Sequence, residues 1–269
     1  MDSIYVFGTG HALVTRLYNT CFAARNGDDY FLLDGGGGSR LLAAWEETGV
    51  SPTRVRHLFI SHRHIDHLLG CVWALRKIAE EMLLGNYEGV FTVFAHKALL
   101  DTFQVICRQT SRPTLTALFD ERIRFFGVED RQTVALEEGY EATFFDTGSN
   151  SVDQFGCSLK DRSGLRVAYL GDEPFHPRSA PYVESCDWLI CEALCLESEE
   201  TIFRAHATHH STVKDACVIA ERLHVKNLIL AHTEDTHGAA RKRLYTREGS
   251  AYFSGNLYVP DDCEILLLT

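Results

Sequence analysis

The sequence predicts a layered α/β fold in a single domain that spans residues 1–269. Short apolar runs bounded by turn residues alternate with segments of helical periodicity along the whole chain, and no low-complexity linker divides it. Hydrophobic residues make up 45% of the chain and charged residues 23%, which excludes a disordered or collagen-like protein. Strands and helices that alternate in this way pack as layers around a core.

The first third of the chain predicts four strands, with a helix on either side of the last one. The strands are the apolar runs 4–7, 20–24, 30–33 and 55–60. Before the fourth strand, an apolar face around Trp45 predicts a helix over 39–48. After it, apolar residues three and four positions apart, among them Leu69 and Trp73, predict a second helix over 66–82.

The remainder of the chain continues the alternation. Its predicted strands are 90–95, 123–126, 142–145, 155–160, 165–170, 188–191, 227–231, 251–259 and 263–268. Its predicted helices lie near 97–108, after a Ser211-Thr212 cap, and near 239–248. The turn sequence from Asp161 to Gly164, between two of these strands, predicts a β-hairpin.

Three imidazoles and one carboxylate stand within six positions, at His62, His64, Asp66 and His67. They follow an apolar strand directly and precede an amphipathic helix. Side chains two positions apart on extended backbone face the same way, so His62 and His64 are expected to point together. A solvated polar loop would explain the run less well, because histidine is the commonest metal ligand and rarely clusters without cause. The run therefore predicts a metal site.

Two later positions repeat the same local arrangement, a ligand-type side chain at the carboxyl end of an apolar strand. Asp172 follows the predicted strand 165–170, and His232 follows the predicted strand 227–231. Taken singly, a polar residue that ends a strand is usually part of a turn or a cap. Together with the histidine run, the two positions strengthen the prediction of a metal-dependent hydrolase.

The net charge and the cysteine spacing limit which binding partners and which cellular compartment are expected. A formal net charge of −11 argues against a broad, sequence-independent grip on nucleic acid, although it allows a small phosphodiester held by metal ions. The nine cysteines contain no Cys-x-x-Cys pair, which favours free thiols in a reducing compartment. The N-terminus has no basic leader, and no apolar run approaches the ~20 residues of a membrane span. We expect a cytoplasmic protein without a membrane partner.

The run His62-x-His64-x-Asp66-His67 resembles the metal motif of the metallo-β-lactamase superfamily. Further segments are similar to elements of its ribonuclease Z branch, namely Phe7–Gly10, Arg16, Asn19-Thr20, Asp34–Gly38, Tyr252-Phe253 and Val259–Asp262. The resemblance extends over essentially the whole chain. It implies an αββα metallo-β-lactamase-like sandwich, in which two packed mixed sheets are flanked by helices.

The resemblance also implies a metal set and its cofactor. His62 and His64 would hold a first ion, Asp66, His67 and His232 a second, and Asp172 would bridge them. The cofactor would be one or two Zn²⁺ ions, with Mn²⁺ as the alternative. Paired ions of this kind activate water and stabilise the attacking and leaving oxygens. Asp66 accordingly counts among the catalytic residues as well as the ligands.

Two more residues carry the resemblance to the ribonuclease Z branch. Cys191-Glu192-Ala193-Leu194 resembles the branch's His-Glu-Ala-Thr element, and His210-Ser211-Thr212 resembles its His-Ser-Thr element. The resemblance implies that Glu192 orients His210, which would protonate the leaving oxygen. A carboxylate partner holds an imidazole charged at neutral pH, as a general acid requires. The alternative for His210 is a surface residue that caps a helix.

One ligand position departs from the branch's pattern. Asn150 stands where the branch has a third histidine for the first metal, and an amide oxygen is a poor zinc ligand beside imidazole. The first metal would then be weak, absent, or held by a substitute such as Asp153, His11 or His206.

Three functions stay open on the sequence. The leading one is a phosphodiesterase acting on a small or short phosphodiester, and the second is a hydrolase of carboxylic esters, lactones or thioesters. The third is a degenerate member that binds metal without catalysis. The span from Leu100 to Glu138 lacks the long basic arm with which the common ribonuclease Z type holds tRNA, so tRNA is not the expected substrate. A homo-oligomer is compatible with the sequence.

Overall fold

The computed structural model describes residues 1–136 and 139–268. The chain divides into two compact units, each built around one seven-stranded mixed sheet. The first unit comprises Met1–Gly8, Tyr18–Glu129 and Asp262–Thr269, and the second comprises Thr9–Leu17 and Asp130–Asp261. The interpretation of residues 1–269 as a single domain stays a prediction.

The first unit contains strands and helices numbered here along the chain. They are β1 (Ser3–Gly8), β2 (Cys21–Asn26), β3 (Asp29–Leu33), α1 (Arg40–Thr48), β4 (Val55–Phe59), α2 (Ile65–Leu83), β5 (Phe91–His96), α3 (Lys97–Thr110), α4 (Pro113–Thr116), β6 (Ile123–Val128) and β14 (Glu264–Leu267). The sheet order is β14-β1-β2-β3-β4-β5-β6. Strands β3 to β6 run parallel, whereas β14, β1, β2 and β3 pair antiparallel.

Apolar stripes on the helices form the core of the first unit. The apolar face of α1 buries Leu41 and Trp45, and the helix ends at Gly49 in the left-handed conformation (φ 72°) that glycine adopts without strain. α2 buries a longer stripe that includes Leu75 and Ile78. Burial of these stripes removes apolar surface from water, which is the main stabilising contribution to folding.

The second unit has the same number of strands and smaller helices. They are β7 (Gln132–Ala135), β8 (Glu141–Asp146), β9 (Phe155–Lys160), β10 (Arg166–Tyr169), α5 (Ala180–Val183), β11 (Trp188–Glu192), α6 (Glu200–Phe203), α7 (Val213–Arg222), β12 (Asn227–Ala231), α8 (Arg241–Gly249) and β13 (Asn256–Tyr258). The sheet order is β13-β12-β11-β10-β9-β8-β7. Strands β10 to β13 run parallel, and the hairpin predicted at Asp161–Gly164 joins antiparallel β9 and β10.

The structure confirms most predicted elements and corrects one. The strand predicted over 251–259 is restricted to Asn256–Tyr258. Phe253 is instead buried in the core of the second unit, and Ser254 donates its backbone N–H and its hydroxyl to Glu221, so this stretch forms a turn. β7 was not predicted, because its four residues alternate between half-buried and exposed without an apolar run.

The parallel strands of each unit position the candidate site residues at their carboxyl ends. In the first unit, β4 leads into the histidine run. In the second, Asp172, Glu192 and His232 lie just after or at the ends of β10, β11 and β12. Open α/β sheets bind ligands at this edge. None of the helices in the described ranges is long and apolar enough to cross a membrane.

Candidate metal centre

The histidine run forms the loop between β4 and the first turn of α2. His62 is fully buried and extended backbone continues to His64, whose imidazole is exposed. The ring of His62 lies 4.5 Å from that of His64 and 4.3 Å from that of His67. The three imidazoles therefore converge, as the spacing of His62 and His64 predicts.

A buried carboxylate, Asp34, orients this loop. Its Oδ2 lies 2.8 Å from His67 Nδ1, and its two oxygens accept hydrogen bonds from the backbone N–H and hydroxyl of Ser61. Burial opposes the charge on Asp34, but His67, His62 and the Ser61 hydroxyl together outweigh burial and lower the pKa of the carboxyl below its ordinary value. An ionised Asp34 accepts a proton-bearing Nδ1, which makes Nε2 the candidate ligand atom of His67. The sequence marked Asp34 only by its glycine-rich turn and gave no indication of this role.

Asp66 provides the test of whether a metal fits the first unit. It is 4% exposed, and within the described residues its Oδ2 is buried and accepts no hydrogen bond, although it lies 3.5 Å from His67 Nε2. A carboxylate oxygen buried in this way is costly unless a cation or donor compensates it. Converging imidazole nitrogens and carboxylate oxygens are the donors that zinc takes in proteins. The residues present fit a divalent metal.

Close backbone approach locks α2 against the Asp34 turn. Gly35 N–H donates to the carbonyl of His67, and Gly70 N–H donates to the carbonyl of Gly36, at 3.0 and 2.8 Å. A Cβ at Gly70 would meet the carbonyl oxygen of Gly35 at 1.7 Å, so only glycine allows this contact. The first turn of α2, which carries Asp66 and His67, is thereby fixed by main-chain contacts.

The second unit brings Asp172, His210 and His232 together. One candidate ligand atom from each lies within 4.8 Å of the others. His232 is 1% exposed, and its Nε2 lies 3.6 Å from Asp172 Oδ2. His232 also has a positive φ of 54°, which is uncommon for a residue other than glycine and directs its side chain at the end of β12. This unit therefore has its own convergent group of imidazoles and a carboxylate.

Glu192 and His210 form an ion pair beside that group. His210 Nδ1 lies 3.5 Å from Glu192 Oε2, and Glu192, at 0% exposed, also accepts the backbone N–H of Ser211. Burial lowers the pKa of His210, but Glu192 and Asp172 outweigh it and raise the pKa to about 9. Glu192 and His210 thus lie within ion-pair distance of each other, and the raised pKa favours an imidazolium at neutral pH.

The remaining predicted positions are Asn150 and the residues considered as its substitutes. Asn150 is exposed in the loop after β8. Among its candidate substitutes, His206 is engaged elsewhere, with Nε2 2.8 Å from Asp215 and Nδ1 3.6 Å from Glu200. His11 pairs with Glu234 at 3.0 Å, and its ring lies 6.0 Å from that of His232. The sequence had no signal for the shorter of these two contacts, since Asp215 is nine residues away from His206 across a helix cap.

Proteins with sequences similar to this chain include ribonuclease Z enzymes. The chain is 25% identical to ribonuclease Z of Azobacteroides pseudotrichonymphae genomovar. CFP2, which covers 83% of this chain and 82% of that protein. It is 24% identical to ribonuclease Z of Thermococcus sibiricus, with 100% of this chain and 97% of that protein covered. These relatives confirm the predicted resemblance to the ribonuclease Z branch.

Solved structures confirm the predicted fold. The metallo-β-lactamase fold protein YhfI from Bacillus subtilis matches with a TM-score of 0.78 and 20% identity over 99% of both chains. The short form of human tRNase Z matches with a TM-score of 0.77 and 17% identity over 100% of both chains. The family model described as the β-lactamase superfamily domain matches residues 31–233, more than half of the chain. With its histidine run, Asp172 and His232 inside that range, this chain belongs to the β-lactamase superfamily.

Proposed function

We propose that this chain is a metal-dependent phosphodiesterase that uses His210 as a general acid. The observation that carries the proposal is the ion pair between His210 and the buried Glu192, beside Asp172 and His232. A thioester hydrolase expels a thiolate and has no need of a charged imidazole at this place. A phosphodiesterase does, because an alkoxide leaves poorly without a proton. A carboxylic ester also expels an alkoxide, and the ribonuclease Z relatives favour the phosphodiester over it.

The hydrolase class follows from the family and its relatives. The curated relatives named above are ribonuclease Z enzymes, and they match this chain over most of its length. Ribonuclease Z hydrolyses phosphodiester bonds, which supports the same bond type here. The substrate itself is a separate question, because fold and family do not fix it.

We assign the metal ligands to His62, His64, Asp66, His67, Asp172 and His232, with Asn150 as a weak position. Bound divalent ions would supply Lewis acidity toward a phosphoryl oxygen and activation of water, and zinc suits these imidazole and carboxylate donors. Asp34 would hold His67 in the tautomer whose Nε2 binds. The exposure of Asn150 supports unequal occupancy of two metal positions, because an exposed amide is a poor zinc ligand beside imidazole.

His210 would deliver its proton from the nitrogen that does not face Glu192. Nδ1 faces the carboxylate, so Nε2 is the atom available to the leaving oxygen. A pKa of about 9 keeps the imidazole protonated at neutral pH. Glu192 is a positioning residue, because it acts on the substrate only through His210.

The substrate we propose is a small or short phosphodiester and not tRNA. The net charge of −11 disfavours a long phosphate backbone, and no long basic insertion separates Leu100 from Glu138. A cytoplasmic location is supported by the nine cysteines, all of which are free thiols.

A substrate panel with metal counting tests the proposal. The purified protein is assayed on bis(p-nitrophenyl) phosphate, a short oligonucleotide, a lactone, a thioester and a precursor tRNA, each before and after addition of Zn²⁺ or Mn²⁺. We expect hydrolysis of the first two that depends on metal. Preference for the lactone or the thioester would contradict the proposal in favour of an ester hydrolase. Bound metal with no hydrolysis of any substrate would indicate a degenerate member.

A further inference from the structure

A groove on the first unit begins beside the metal motif and runs along α2. Its volume is about 330 Å³, at the lower end of the range for small-ligand sites. The lining residues are Gly37, Leu69, Val72, Trp73, Arg76, Ile106, Thr110 and Ser111. At Gly37, a Cβ would lie 3.7 Å from the Cα of Asp66, so this end of the groove adjoins the candidate metal ligand.

The helix itself sets the distance from the reacting centre. Asp66, Leu69, Trp73 and Arg76 are separated by three or four positions, so they lie on one stripe of α2. At 1.5 Å per residue, Trp73 stands ~10 Å and Arg76 ~15 Å along the axis from Asp66. A ring esterified directly to a phosphate at Asp66 would not extend to Trp73. A longer substrate would.

The groove presents an aromatic ring, Trp73, followed by a cationic side chain, Arg76. Trp73 is 43% exposed, whereas Trp45 and Trp188 are each 2% exposed. Within the part of the chain that the structure describes, Arg76 is exposed and makes no ion pair or hydrogen bond. None of the lining residues is acidic, although the whole chain carries a net charge of −11. An aromatic face next to an unpaired guanidinium suits a base and the phosphate that follows it.

We propose that this groove binds a nucleobase of a single-stranded oligonucleotide on Trp73 and its neighbouring phosphate at Arg76. The inference rests on the proposed phosphodiesterase function and names its substrate class: a short single strand that extends along α2, in preference to a mononucleotide ester. Leu69, Val72 and Ile106 supply the apolar surround of the base. Arg76 supplies the one positive charge. Contacts in the groove would thus favour substrates that extend beyond the phosphodiester bond that is hydrolysed.

The first test measures preference between substrates. The ratio of kcat/KM for a single-stranded hexanucleotide to that for bis(p-nitrophenyl) phosphate should fall about tenfold in Trp73→Ala, since the base loses the aromatic ring on which it stacks. Trp73→Phe should restore most of the ratio, because it keeps an aromatic face. Val105→Ala, an exposed apolar residue of α3 outside the groove, should leave the ratio unchanged. An unchanged ratio in Trp73→Ala would overturn the proposal.

The second test does not depend on turnover. Titration of the hexanucleotide into the Asp66→Ala protein should quench tryptophan fluorescence, and the signal reports on Trp73 because the other two indoles are buried. An abasic strand of the same length should quench weakly, and Arg76→Ala should make binding less dependent on salt. Quenching by the hexanucleotide without any hydrolysis by the wild type would refute the proposed function but support oligonucleotide binding in the groove. Hydrolysis of bis(p-nitrophenyl) phosphate without quenching would support the proposed function but refute binding in the groove.

A second copy of the chain is the competing occupant of this apolar surface. Sedimentation of the wild type and of Trp73→Ala separates the two. A dimer that dissociates in Trp73→Ala, together with unchanged oligonucleotide binding, would assign the groove to self-association and overturn the proposal. A wild type and a variant with the same oligomeric state, and weaker oligonucleotide binding in the variant, support it.

Discussion

The Oδ2 atom of Asp34 lies 2.8 Å from His67 Nδ1, and both side chains are fully buried. Carboxylates in this position fix the tautomer of a metal-binding histidine, and their loss typically reduces metal affinity by ~10–100-fold. Asp34→Asn should therefore weaken metal binding by about that factor. Asparagine is the suitable replacement, because Asp34 has a positive φ of 57° that asparagine tolerates.

Competition with a chelator measures the effect of Asp34→Asn, and Asp29→Asn is the control. Asp29 begins the same strand, β3, but contacts Arg56 and no histidine. Equal affinity in Asp34→Asn and the wild type would show that His67 keeps its orientation without the carboxylate.

Loss of a ligand should have a stronger effect than loss of its partner. We expect Asp66→Ala and His232→Ala each to lose bound metal and hydrolytic activity together, because metal binding needs the complete donor set. Elemental analysis and the bis(p-nitrophenyl) phosphate assay measure the two quantities on the same preparation. Asp101→Ala removes an exposed carboxylate paired with Lys97 and should change neither. Wild-type metal content in both ligand variants would refute the ligand assignment.

His210→Ala should separate metal binding from proton transfer. Metal content should stay near that of the wild type, while kcat on an oligonucleotide, whose alkoxide needs a proton, should fall by ~10²–10⁴-fold. The loss on bis(p-nitrophenyl) phosphate should be much smaller, since p-nitrophenolate leaves without protonation. The neighbouring His209→Asn is the matched control, because asparagine accepts the positive φ of 60° at that position. Equal losses on both substrates would assign His210 to binding.

Asn150 is expected to limit one of two metal positions. The protein should purify with one tightly held ion and a second that dialysis removes, and activity should rise when Zn²⁺ or Mn²⁺ is restored. Asn150→His should tighten the weaker position, because a neutral imidazole is the better zinc ligand. Chelator titration followed by elemental analysis compares the two proteins. Two equally tight ions in the wild type, unchanged by the substitution, would mean that another residue fills this place.

His57 gives a pH dependence that is separate from the metal motif. It lies between Phe31 and Phe94 with ring distances of 5.6 and 5.8 Å, and burial together with Arg56 lowers its pKa from 6.5 to about 4. The unfolded chain therefore binds more protons than the folded one between pH 4 and 6.5, so stability should fall as pH decreases through this window. His57→Phe should flatten the dependence. Denaturant unfolding of both proteins at pH 7 and pH 5 measures it, and parallel losses would contradict the assignment.

The sequence was most informative where a side chain of a metal-binding type directly follows an apolar strand. His62 to His67, Asp172 and His232 all follow apolar strands, so local pattern was enough to mark them. Asp34 was not assigned, because its role depends on a contact with His67 that is 33 residues away. The strand predicted over 251–259 was wrong in length for a related reason. Phe253 packs into the core of the second unit from within a turn, and tertiary packing overrides local β preference.

The contact between Gly35 and Gly70 bears on how a mutational map of this protein would be interpreted. Neither glycine can touch a substrate through a side chain, yet a methyl group at Gly70 would collide with the Gly35 carbonyl and push the first turn of α2 away from Asp34. A saturation survey scored by activity should thus mark both glycines as intolerant as His67. Their intolerance would be graded by the volume of the substituent, whereas that of His67 would follow its donor chemistry. Sorting intolerant positions by whether they respond to side-chain volume or to donor chemistry would distinguish two classes. One class contributes functional groups to the reaction, and the other is needed only because a larger side chain would not fit.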